Sequence, residues 1–385
     1  MAAEHIPVYR NGSCLGSVER DALYHAENDH QIVHTLIYKP LEQDMEPEQM
    51  WVQQRGSTVS YLPNYLVTAA SGHVSMTEQG IPETFEQAAL REASEEVFGN
   101  DPSQKLNIQR LGTDFTYKPS YPGYKGGSKQ VATFVSESDG ANFNPLHPEV
   151  SRLALMSVGE LKQMSRDPHS LLHPELREIL RRKMTRIGIV GTYSVGKTTL
   201  TDALSRRING SRGVTEDVRH YVKNVFGKKG IQELTPEEFI QLEHMLYRDQ
   251  TLAARYADIA VVDSTPIGCP VYLQNYGLLA ENGHQYDQSV IEGWKDKTRS
   301  TLDDYDVIVY LPPEIPYEND GFRTGPQFRG PVDQGFQEVI QGHPRMIEVT
   351  GYIPGDVSAG VNTRVETVID YCLQQGILDE EQIAK

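Results

Sequence analysis

The stretch Gly191-Thr-Tyr-Ser-Val-Gly-Lys-Thr198 constrains this chain more than any other. Its two glycines let the backbone turn so that successive N–H groups point inward at one anion. The lysine that follows reaches terminal phosphates, and the threonine hydroxyl can hold Mg²⁺. Such a loop works when it leaves a buried strand and opens a helix, because the helix N-terminus adds its own positive end. "RIGIVG" (186–191) is the short apolar run such a strand needs, and "KTTLTDALSRRI" (197–208) has helical spacing. Candidate contacts to phosphate and metal are therefore Gly191, Ser194, Val195, Gly196, Lys197, Thr198 and Thr199. Further apolar runs, "ADIAVVD" (257–263), "DVIVYL" (306–311) and "RMIEV" (345–349), predict a mainly parallel sheet with helices on both faces. Asp263 ends one of these strands, where ligands sit in open α/β sheets, and is the candidate metal carboxylate; a plain strand-end cap is the alternative.

The loop begins near the middle of 385 residues, a length that points to two domains. "PELREILRRKMTRIGIVG" (174–191) runs from a helix into the loop's strand with almost no linker, which places the domains at 1–183 and 184–385. A formal charge of −17 argues against a general nucleic-acid binder, which needs a basic face. No apolar run approaches the ~18 residues of a membrane span. The N-terminus lacks the basic-then-apolar pattern of a secretory leader. Cys14, Cys269 and Cys372 form no CxxC pair, so neither a disulfide framework nor a zinc site is indicated. The expectation is a cytoplasmic protein whose partners are small-molecule nucleotides, with no nucleic acid and no membrane; a homo-oligomer stays open.

The first half carries a second signal, "TFEQAALREASEEVFG" (84–99). On a helix, Glu92, Glu95 and Glu96 share one side, while Ala89, Ala93 and Val97 supply a packing stripe. Three neighbouring carboxylates repel one another unless a cation neutralises them, and Mg²⁺ or Mn²⁺ accepts all-oxygen ligands. The helix alone leaves a second reading open, a solvated acidic face with Arg91 paired to Glu95.

The wider stretch "SGHVSMTEQGIPETFEQAALREASEEVFG" (71–99) resembles a Nudix box, with Gly72, Glu83, Arg91, Glu92, Glu95, Glu96 and Gly99 at the family's positions. The loop between Gly72 and Glu83 is about five residues longer than usual, and one extra residue precedes Gly99. The resemblance implies an α/β/α sandwich with a mixed sheet. It also implies a metal site built from Gly72, Glu92, Glu95 and Glu96, and hydrolysis of a diphosphate. The flanks, "GSVERDALYHAENDHQIVHTLIYKP" (16–40) and "YLPNYLVTAASGHV" (61–74), resemble the isopentenyl-diphosphate-isomerase-like branch. Ala69 and Ala70 stand where true isomerases carry their catalytic cysteine, so isomerase chemistry is not expected.

The second half is a P-loop NTPase by its loop. "EDVRHYV" (216–222), "VVDSTPIG" (261–268) and "ENDGFR" (318–323) resemble the nicotinamide riboside kinase domain of the bacterial NAD-biosynthesis regulator. That resemblance implies ATP as phosphoryl donor, Glu216 and Arg219 on the substrate side, Asp263 at the metal, and Arg323 and Arg329 in a lid over the phosphates. Phosphoryl transfer needs such cationic groups aimed at its spreading charge. The family's second acidic residue after the strand-end aspartate is replaced here by Ser264-Thr265-Pro266. Together the two halves imply a bifunctional enzyme of nucleotide metabolism. Its hydrolase would cleave a diphosphate of the ADP-ribose or dinucleotide type, and its kinase would phosphorylate a riboside or nucleotide in NAD salvage. A nucleotide-sensing regulator with an ATPase switch, or a kinase for an ordinary nucleoside, are the alternatives.

Overall fold

The structure is a computed structural model. It describes residues 4–23, 27–41, 47–59, 61–112, 114–120, 124–215, 218–263, 265–277, 288–317 and 326–384. The chain divides into two compact units, Met1–Pro40 with Glu48–Lys183, and Leu41–Pro47 with Met184–Lys385.

In the first unit, the described residues form an eight-stranded mixed sheet. The strand His30–Tyr38 is its centre, buried on both faces along most of its length. It pairs in parallel with Lys129–Glu137 and antiparallel with Ala70–His73 and Gln49–Arg55. The helix Phe85–Glu96 starts at a capping box between Thr84 and Gln87, which satisfies two otherwise orphaned N–H groups. Its alanine stripe lets it lie close to the sheet. Ala88 and Ala89 pack with Val33, Val74, Ala132 and Phe134, and Ala93 and Val97 pack with Ile37, Ala69 and Ala70. The long loop before the helix folds on itself through a Met76–Pro82 bridge and a Thr77–Ile81 turn, so its extra residues leave the helix undisturbed. The extra Phe98 is buried against Phe143.

In the second unit, five parallel strands run in the order Ser211–Val214, Ile259–Asp263, Thr185–Val190, Val307–Tyr310, Met346–Glu348. Parallel neighbours need crossover helices, and these cover both faces. Leu200 and Leu204 from Lys197–Arg207, with Val365, Val368 and Ile369 from Val357–Gln374, close one side. Ala254, Val271, Phe336 and Val339, from three further helices, close the other. The two-domain α/β architecture, mixed sheet first and parallel sheet second, is the one expected from the sequence. Among the described residues no helix is long and apolar enough to cross a membrane.

Candidate functional sites

In the first unit, Arg91 organises the glutamates. Its guanidinium forks onto Glu83 (Nε–Oε1 2.9 Å, Nη2–Oε2 3.0 Å), donates to the His73 carbonyl at 2.8 Å, and meets Glu92 Oε1 at 2.7 Å. It lies 3.7 Å from Glu95, so the Arg91–Glu95 pair of the solvated-face reading is the weakest of its contacts. Glu92 and Glu96 are buried, while Glu95 keeps about a third of its side chain exposed. A helix face shared at i, i+3 and i+4 is wider than the strip the sheet covers.

Glu96 accepts bonds from the Ser71 N–H at 2.8 Å and from Gln53 at 3.3 Å. Burial nevertheless pushes its carboxyl up to about 7. Burial, then the neighbouring Glu96 charge, also raises Glu92 well above the usual carboxylate range. Dry carboxylates strained toward the neutral form are what a divalent cation relieves. Gly72 fits the same picture. A Cβ there would sit 2.0 Å from Glu92 Oε1, so only glycine leaves that carboxylate its place.

Sequence reasoning missed His147 and Glu149. They reach Glu96 from the loop before the strand Val150–Ser157, and ligand atoms of the three lie within 4.8 Å of one another. Among the described residues this is the group of histidine and acidic side chains able to hold a metal. Glu92 and Glu95 stand outside it. No local pattern announces "LHPEV", since the contact depends on the fold.

The adjoining cleft is lined by Arg20, Arg55, His73, Lys129, Gly72 and Glu149. Glu175 is buried in its wall, where Lys129 and His34 (Nε2–Oε2 3.2 Å) meet it. Burial alone would raise Glu175, but Lys129, then His173 and His34, hold it well below the usual range. Burial, then Lys129, lowers His30 to about 4, and burial lowers His173 to about 3 despite the opposing Glu175. His73, singled out from the sequence, is fully enclosed beside His30 with its pKa lowered by burial.

In the second unit, Gly191 (φ 141°), Ser194 (φ 57°) and Gly196 (φ 86°) take the left-handed conformations that curl the loop. Lys197 is buried and folds back on the Gly191 and Thr192 carbonyls at 3.0 and 2.9 Å. Thr198 Oγ1 donates to Asp263 Oδ2 at 2.5 Å. The parallel register sets Ile189 opposite Asp263, which carries that carboxylate to the sheet edge from which the loop departs. Thr199 is exposed on the first helical turn. Arg329 opens the helix Arg329–Ile340 and donates to the Ser194 carbonyl at 3.2 Å. Arg219 is exposed on the short helix Val218–His220. Glu216 and Arg323 lie outside the described residues. A further arginine went unread in the sequence. Buried Arg364 donates to the Val195 carbonyl at 2.7 Å and to Glu314 at 3.0 Å, bracing the loop from the last long helix.

Residues 35–182 match the NUDIX domain family, and residues 186–357 match a family described as AAA domain. The chain thus carries a NUDIX domain followed by a P-loop domain of the AAA type. Among solved structures, it is similar to a Deinococcus radiodurans protein at 21% identity, over 46% of this chain and 98% of that one, with a TM-score of 0.34. It is similar to the NUDIX domain of Shewanella oneidensis NrtR complexed with ADP ribose at 14% identity, over 42% and 90%, TM-score 0.28. It is also similar to the NadR protein in complex with NAD and AMP-PNP at 16% identity, over 69% and 65%, TM-score 0.39. No curated protein matches the chain.

Proposed function

We propose that the chain is a bifunctional enzyme. Its NUDIX domain hydrolyses a nucleoside diphosphate derivative of the ADP-ribose or dinucleotide type, and its P-loop domain transfers a phosphoryl group from ATP to a riboside or nucleotide. One arrangement, repeated in each unit, carries this reading: a close-packed glycine segment beside acidic side chains suited to a metal. In the first unit it is Gly72 and Ser71 with Glu92, Glu96 and Glu149; in the second, the 191–198 loop with Thr198 and Asp263.

In the first site a divalent cation, Mg²⁺ or Mn²⁺, would neutralise the diphosphate and acidify a water. Arg91 holds Glu92 in place and fixes the loop before the helix, and Arg20 and Arg55 line the cleft, while the charge of Lys129 is paired with Glu175 in its wall. In the second site the loop N–H groups would cradle the ATP phosphates, and Lys197 would exchange its bonds to two loop carbonyls for bonds to phosphate oxygens. Thr198 and Asp263 would hold the Mg²⁺, and Arg329 stands at the loop to meet charge that spreads during transfer. An NAD-salvage role is part of this proposal and rests on the resemblance of the second half to the nicotinamide riboside kinase domain.

The test is a panel of diphosphates, with and without divalent metal, and of nucleosides with ATP and Mg²⁺. Metal-dependent cleavage of one class of nucleoside diphosphate derivative, with ATP-dependent phosphorylation of one class of riboside or nucleotide, is the expected result. Binding of nucleotides without turnover in either half would favour a sensor and sink the enzymatic reading.

A further inference from the structure

We propose that Arg364 is a positioning residue of the phosphate loop. By holding the Val195 carbonyl away from the anion it turns the Gly196 N–H toward it, and Glu314 keeps Arg364 in that place. The inference rests on the reading of residues 191–198 as a phosphate site and concerns what aims its donors. In a trans peptide the carbonyl and the following N–H point opposite ways. Fixing one carbonyl of the loop therefore sets the direction of the next residue's N–H.

Two consecutive carbonyls are held this way, each by a guanidinium. Arg329 donates to the Ser194 oxygen at 3.2 Å, and Arg364 Nη1 donates to the Val195 oxygen at 2.7 Å. The N–H groups of Val195 and Gly196 thus turn away from the two arginines. Among the described residues neither N–H has a protein acceptor, although Val195 is buried. Enclosed backbone donors without an acceptor are rare, and at a loop that opens a helix they suit an anion. The Gly191 and Thr192 carbonyls face the Lys197 ammonium instead.

Arg364 is suited to this task because it is held on both sides. It is 4% exposed on the helix Val357–Gln374, and its Nη2 is tied to Glu314 Oε2 at 3.0 Å. Glu314 in turn accepts the Gly351 and Tyr352 N–H groups at 3.0 and 3.2 Å. Burial would raise the Glu314 carboxyl, but Arg364 and those two N–H groups hold it below its usual value, so it stays an anion that grips the guanidinium. A Cβ on Gly196 would stand 3.4 Å from Arg364 Nη1, which places the guanidinium against the loop backbone itself. With its charge met by Glu314, Arg364 acts on the phosphate through the peptide it holds.

The experiment uses the full-length chain, labelled with ²H and ¹⁵N, with inorganic pyrophosphate as the probe and EDTA in place of metal. TROSY spectra follow the Val195 and Gly196 amides, so anion bound in the first unit is not counted. In wild type both amide protons should move downfield on saturation, as donors to anionic oxygen do. In Arg364→Met the Gly196 shift should shrink while Val195, aimed by Arg329, keeps most of its own. The affinity read at the loop should drop about tenfold, the effect of one charge-assisted hydrogen bond. Arg364→Lys can still donate to the Val195 carbonyl and should stay within about threefold of wild type. Glu314→Ala separates position from charge, because the two predict opposite signs. Removing an anion near the loop would by itself favour pyrophosphate, whereas releasing Arg364 weakens binding. A loss of about threefold or more, with a smaller Gly196 shift, is expected. Tighter binding in Glu314→Ala would overturn the proposal, and so would an unchanged Gly196 shift in folded Arg364→Met. Melting curves check folding, and Glu314→Ala keeps the test in force if Arg364→Met does not fold. Loop amides that ignore pyrophosphate in wild type would remove the phosphate-site reading itself.

Discussion

Replacing Gly72 by alanine adds one methyl group at the tightest point of the first site. The backbone cannot yield, because Gly72 is locked opposite Val33 in the central ladder of the sheet. The new Cβ would lie 2.0 Å from Glu92 Oε1 and 2.1 Å from its carboxyl carbon, where contacts under 3.0 Å are essentially unseen. The Glu92 carboxylate must therefore retreat by about 1 Å or more. Its 2.7 Å bond to Arg91 does not survive that retreat. A lost charge-assisted bond of this kind costs about 1.5–3 kcal/mol, which lowers Tm by roughly 3–12 °C in a domain of this size. A misplacement of about 1 Å in a reacting constellation costs on the order of a hundredfold in rate. Gly72→Ala should thus remain folded, melt a few degrees lower, and lose about two orders of magnitude in metal-dependent diphosphate hydrolysis. Phosphoryl transfer by the second unit should be unchanged. Calorimetric melting and steady-state hydrolysis on one preparation decide it. Hydrolysis within threefold of wild type would mean that the position of Glu92 does not matter to the reaction.

Lys197→Ala should abolish phosphoryl transfer while nucleotide binding falls only modestly, since the loop N–H groups remain; equilibrium binding set beside turnover checks this, and retained kinase or ATPase activity would refute the loop as the catalytic site. Glu243 is fully buried, accepts bonds from Trp294 and Thr298, and burial raises its carboxyl well above the usual carboxylate range. Its contribution to stability is full below about pH 4.5, falls by on the order of 1 kcal/mol per pH unit above it, and is gone once the folded group ionises. Glu243→Gln lacks that titration, so its Tm should gain on wild type from pH 4 to pH 7, and a constant gap would show that Glu243 is not held neutral. Fragments 1–183 and 184–385 should each fold, because each contains its own sheet and core; a random-coil circular dichroism spectrum from either one would refute their independence.

Sequence alone determined the parts that short contiguous stretches encode. The strand–loop–helix at 185–207 and the helix beginning at Thr84 each follow from glycine placement, capping residues and apolar spacing within about twenty residues. The register that brings Asp263 to the loop was within reach, because a strand-end carboxylate in a parallel sheet always arrives at the same edge. Tertiary structure decided the rest. Helical spacing puts Glu92, Glu95 and Glu96 on one side, but the covering sheet sorts them, burying two and leaving the third part exposed. His147 and Glu149 meet Glu96 across some fifty residues of chain, and Arg364 meets the Val195 carbonyl from 169 residues away. Those contacts follow from where strands and helices pack. A linear pattern records which side an element buries, not which distant side chain will stand against it.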